Sequence, residues 1–173
     1  MNYVKSTFIA VIVALTSSAA WGQADPQISI VVVPTPDKVT LSRLSLDTFA
    51  AFKVTFENGA RSALNRVFLN GTATNFGGTA PVVYDSFIAI TTPTDTCAVG
   101  SAPNTVSCSL ASLAPGVKTE FIVVFKAPTN GARIDFNWTA GGSEGQGGGQ
   151  GCCSQAGLAQ TTLVDPTTDA SFK

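Results

Sequence analysis

Arg133-Ile134-Asp135-Phe136-Asn137-Trp138 alternates a polar residue with a large apolar one at every step. A period of two sets Ile134, Phe136 and Trp138 on one face of a strand and Arg133, Asp135 and Asn137 on the other. Trp138 runs in phase with the apolar pair, which places it in a core and not on a ligand platform. Asp135, between two polar neighbours in the outward phase, reads as a solvated strand residue.

The same grammar extends in both directions. Ile28 to Val33 is an apolar run ended by Pro34 and Pro36, and Phe52, Val54 and Phe56 alternate with Lys53, Thr55 and Glu57 before an Asn58-Gly59 turn signal. Leu64 to Leu69 reads as a strand closed by Asn70-Gly71. Val82 to Ile90, Val106 to Leu110, the Phe121-Val123-Phe125 stretch after Pro115-Gly116, and Leu158 to Val164 complete the set. About eight short strands with turn residues between them, and almost no helical periodicity, favour a β-sandwich. The core is built mainly on phenylalanine, of which the chain has 11.

Composition narrows the chemistry. The 173 residues are 45% hydrophobic and 12% charged, with a formal net charge of −1 and no histidine. Soluble domains carry roughly 25% charged residues, so hydroxyl and amide groups must supply much of this surface. The basic residues form no cluster, which argues against nucleic acid as a partner. Without histidine the Ser-His and Cys-His nucleophile systems and the commonest metal ligand are absent. The acids lie singly along the chain. No enzyme activity, metal or cofactor is expected.

Lys5, the apolar run Phe8 to Leu15 and the small residues up to Ala24 have the layout of a secretory signal peptide. Residues 1–24 are therefore assigned to a cleaved leader, since eight apolar residues fall short of the about 20 that span a bilayer. Residues 25–164 form one domain, 165–173 a polar C-terminal tail. Gly141 to Gly151, GGSEGQGGGQG, reads as a flexible insert before the last strand. It has neither the lysine nor the following helix of a phosphate loop.

Cys97 to Pro128, CAVGSAPNTVSCSLASLAPGVKTEFIVVFKAP, resembles the second half of an Ig-like conserved repeat domain of unknown function found in prokaryotic cell-surface and secreted proteins. Val106, Cys108, Leu110, Leu113, Pro115 and Gly116 match its V-x-C-x-L-x-x-L-x-P-G run. Val54 to Gly59 (VTFENG) and Ala63 to Val67 (ALNRV) resemble its first half. Leu69-Asn70-Gly71-Thr72 stands where the family usually has Asp-x-Leu-Pro. The resemblance implies a single Ig-like antiparallel sandwich of seven to eight strands. It implies a structural or adhesive role without catalysis, and a secreted, periplasmic or cell-surface location.

Four cysteines in an exported chain point to disulfides, and four allow three pairings. The resemblance pairs Cys97 with Cys108, which flank a loop containing Gly100, Pro103 and Asn104. Cys152-Cys153 then forms a vicinal ring, stays as two thiols, or links to another chain. Adjacent thiols without histidine do not make a four-ligand zinc site. Partners are expected among proteins or cell-envelope components, with no membrane span in the mature chain and with a homo-oligomer through Cys152 or Cys153 as one outcome. A ligand-binding domain that uses end loops of the sandwich, for a polysaccharide or a protein, is the alternative function. Asn70-Gly71-Thr72 and Asn137-Trp138-Thr139 match the glycosylation acceptor pattern. In the prokaryotic setting that the resemblance implies, they are incidental.

Overall fold

A computed structural model describes residues 28–41, 47–144 and 153–165. The expected leader and residues 145–152 and 166–173 lie outside the described residues. The described residues form ten strands and no helix: β1 (Ile28–Pro34), β2 (Lys38–Thr40), β3 (Phe49–Asn58), β4 (Leu64–Phe76), β5 (Val83–Ala89), β6 (Thr96–Val99), β7 (Thr105–Leu110), β8 (Lys118–Lys126), β9 (Arg133–Glu144) and β10 (Cys153–Val164). Two sheets pack face to face, one ordered β1-β3-β8-β5 and the other β2-β10-β9-β4-β7-β6. Every strand pairing is antiparallel except that of β2 with β10. The opening strand is divided between the sheets at Pro34, with β1 on the smaller and β2 on the larger. This is an Ig-like sandwich.

Alternation fixes which side chains meet between the sheets. Phe52 and Phe125 of the smaller sheet and Phe136 of the larger one are fully buried. The ring of Phe136 lies 4.9 Å from that of Phe52 and 5.4 Å from that of Phe125, so the three lock the layers together. Trp138 is buried as expected from its phase. Its strand neighbours are Gly71 on β4 and Gly157 on β10, two positions whose missing side chains leave room for the aromatic rings of β9.

Three expectations are corrected. Asn70-Gly71 is not a turn: β4 runs through it to Phe76, paired with β9 on one side and β7 on the other. Glycine stands there because the Phe136 ring fills the space a Cβ would take. The glycine-rich insert begins later than Gly141, since Gly141 to Glu144 continue β9 and pair with β4. The strand count is ten, because β2 and β6 are three and four residues long and too short to show a period. These two are the edges of the larger sheet. Short edges offer little template for unwanted pairing.

Candidate functional site

The outer face of the larger sheet follows from the register of β10, β9, β4 and β7. Asn137 stands opposite Thr72, and Thr139 opposite Asn70, with Gly71 opposite Trp138 between them. The two Asn-x-Thr triplets thus lie antiparallel and side by side. Each asparagine faces the threonine of the other triplet, and a local two-fold relates the two pairs. Because the middle residues point inward, all four polar side chains point outward. β7 adds Thr105 opposite Thr72 and Ser107 opposite Asn70.

These six side chains line a groove of about 560 Å³, walled on one side by the Gly100-Ser101 turn between β6 and β7. Thr105 holds that turn: its hydroxyl donates to Ala102 O at 2.7 Å and accepts from Ala102 N–H at 3.0 Å. Among the described residues, Asn70, Thr72, Ser107, Asn137 and Thr139 have no side-chain hydrogen-bond partner. Four other asparagines among the described residues are structural. Asn58 donates to Ser62 O and Leu113 O and accepts from Ala60 N–H, Asn104 donates to Ala73 O, and Asn75 donates to Ala80 O and Asn130 O. Asn130 accepts from the amides of Thr79 and Ala80.

One row beyond the groove, Asp135 accepts from Arg133 Nε at 2.7 Å and Nη2 at 3.3 Å, and from Gln160 Nε2 at 2.9 Å. The Arg133 hydrogen bond holds the Asp135 carboxyl below its ordinary value, against an opposing effect of partial burial. The Arg133 guanidinium also lies 3.8 Å from the ring centre of Phe76. These charges are satisfied within the face.

Three carboxyls elsewhere are engaged likewise. Asp95, 2% exposed, accepts from Thr119 Oγ1 at 2.5 Å and from Ala111 N–H at 2.8 Å. Glu120 pairs with Lys53 at 3.2 Å, and this contact pulls its carboxyl below the ordinary value. Asp47 pairs with Lys126. Among the described residues no three of Cys, Asp and Glu come together as a metal site, and no helix is long and apolar enough to cross a membrane.

Cys97 and Cys108 are joined in a disulfide. They stand directly opposite each other on β6 and β7, so the bond ties the edge strand to the sheet. Cys152 lies outside the described residues, and Cys153 opens β10 opposite Gly142. The sequence points to end loops only for the alternative, ligand-binding function, whereas the groove lies on a sheet face with a single turn as its wall. Its signal was the outward phase of Asn137 and Thr139, which counted only once β4 was known to continue past Gly71.

No protein-family model matches the chain, and no curated protein matches it in sequence. Solved structures do resemble it. The structure of AvmM, which catalyzes macrocyclization in alchivemycin A biosynthesis, superposes with a TM-score of 0.50 at 11% identity, covering 80% of this chain and 89% of that one. A cohesin module of a family 33 glycoside hydrolase from Clostridium perfringens gives 0.48 at 12% identity, over 80% and 96% of the two chains. A non-cellulosomal cohesin from the archaeon Archaeoglobus fulgidus gives 0.46 at 10% identity, over 79% and 91%. At these identities the likeness is one of fold.

Proposed function

We propose that this chain is an exported, non-catalytic Ig-like module that acts by contact outside the cytoplasm, through the outer face of its larger sheet. The observation that carries this reading is the concentration of uncommitted amide and hydroxyl groups at Asn70, Thr72, Ser107, Asn137 and Thr139, beside an Arg133–Asp135 pair whose charges answer each other. Such groups are free to bond a partner in place of water. The carboxyls Asp95, Glu120, Asp47 and Asp135 are engaged with partners of their own, which supports a role without catalysis.

The Cys97–Cys108 bond suits an oxidising compartment, and the leader pattern at residues 1–24 supports export. The resemblance to the Ig-like conserved repeat domain supports a structural or adhesive role at a prokaryotic surface.

Fractionation of the native source tests the compartment. Processed protein in the extracytoplasmic or surface fraction supports the reading, and full-length protein in the cytosol overturns it. The same sample on a non-reducing gel tests covalent pairing through Cys152 or Cys153, which predicts a dimer that reductant collapses. Retention of native envelope material by the immobilised protein, lost in Asn137→Arg, supports the assigned face. Retention that Asn137→Arg leaves intact overturns that assignment.

A further inference from the structure

We propose that the groove over the paired Asn-x-Thr triplets binds a neutral polysaccharide, a specification that rests on the outer face of the larger sheet being the contact face.

Asparagine is depleted within strands, yet Asn70 and Asn137 occupy mid-strand positions on β4 and β9 and form no side-chain hydrogen bond among the described residues. The asparagines at 58, 75, 104 and 130 all hold loops in place. Those in the groove give the fold nothing for the strand propensity they cost. A bound ligand accounts for them.

The lining defines its chemistry. Asn70, Thr72, Thr105, Ser107, Asn137 and Thr139 are all uncharged. Arg133 and Asp135, one row beyond the groove on β9, are bound to each other. An ionic ligand would find no counter-charge. An apolar one would leave several amides and hydroxyls without water or partner, which is costly. Amides and hydroxyls both donate and accept, as does every hydroxyl of a sugar. The same amide–hydroxyl pair is offered twice, and same-face positions on a strand lie about 7 Å apart. The groove therefore suits a repeating chain more than a single compact molecule. Its volume of about 560 Å³ is that of an ordinary small-ligand site. An extended peptide would seek a free strand edge for main-chain pairing, whereas β4 and β9 are paired on both sides.

Affinity electrophoresis of the purified protein through gels containing a neutral β-glucan, a mannan or the acidic polymer alginate tests the proposal. The expected result is retardation in at least one neutral polymer and none in alginate alone. Asn70→Ala and Asn137→Ala should each weaken it about three- to tenfold, the equivalent of one lost hydrogen bond. Val31→Ser, on the opposite sheet, should leave it unchanged. If an alanine variant fails to fold, Thr139→Val removes a groove hydroxyl while favouring the strand, and must weaken binding too. Retardation by alginate only, by none of the three, or unaffected by the groove variants overturns the proposal. Loss of envelope retention in Asn137→Arg, without any neutral-polymer binding, would keep the contact face and reject the ligand class.

Discussion

Gly71 on β4 leaves vacant the space into which the ring of Phe136 on β9 extends: a Cβ at Gly71 would lie 2.3 Å from Phe136 Cε2. The ring has nowhere to retreat, being packed between Phe52 and Phe125. Gly71→Ala is therefore expected to destabilise the domain by about 1–3 kcal/mol, the usual cost of overpacking a core. Urea denaturation measures it. Adding Phe136→Leu to Gly71→Ala should lose less than the two separate changes sum to, because each variant relieves the other. An unchanged denaturation midpoint for Gly71→Ala would show that the sheets part at no cost.

The same pair explains what could and could not be read from the chain. Arg133 to Trp138 carries its register in its own alternation, and Phe136 and Trp138 lie where that alternation puts them. Asn70-Gly71 has the composition of a turn, and only its neighbour across the sheet makes glycine a strand residue there. Gly141 to Glu144 pose the same difficulty: a glycine-rich stretch is held extended by pairing with β4 and β10. The groove is not legible in the sequence for this reason. Its asparagines became neighbours only through a pairing that the turn reading forbade.

The Cys97–Cys108 bond closes a loop of 11 positions and joins the four-residue edge strand β6 to β7. Cross-linking a loop of this size stabilises by roughly 3 kcal/mol on the chain-entropy model. The double variant Cys97→Ser/Cys108→Ser should lower stability by about that amount. Hydrogen exchange should show the amides of β6 losing protection before those of β4 and β9. Equal protection in all three strands would mean that pairing alone holds the edge.

Asp95 is buried beside Thr119, which lies 3.1 Å from both Thr91 Oγ1 and Thr92 Oγ1. This hydroxyl cluster joins the β5–β6 connection to the start of β8, and the Asp95 contact to Ala111 N–H adds the end of β7. Asp95→Ala removes the acceptor of the buried Thr119 hydroxyl and of the part-buried Ala111 amide, and should cost about 1–3 kcal/mol, the range for a polar group that loses its partner. Asp95→Asn keeps an acceptor oxygen and should cost less. Thermal unfolding of the two variants checks the order, and the reverse order would show that the carboxyl's hydrogen bonds do not hold the loops.

Asp135 sets the pH dependence of the outer face. Hydrogen bonds from Arg133 depress its carboxyl in the folded chain below the ordinary 3.8, with Gln160 adding to the effect. A carboxyl with a folded pKa below its unfolded one stabilises the fold when ionised. That contribution is complete above about pH 4, the unfolded value, and disappears as pH falls through the depressed folded value. Arg133 is 37% exposed at its side chain, so solvent screens the pair and its net worth is about 0–1 kcal/mol. Asp135→Asn should accordingly be slightly less stable than the wild type at neutral pH. The difference should narrow in acid, below about pH 4, as the wild-type carboxyl protonates through its depressed folded value. Denaturation curves at neutral pH and in acid measure the gap. A gap of the same size in acid would assign the loss to altered hydrogen bonding with Gln160, and not to the charge of Asp135.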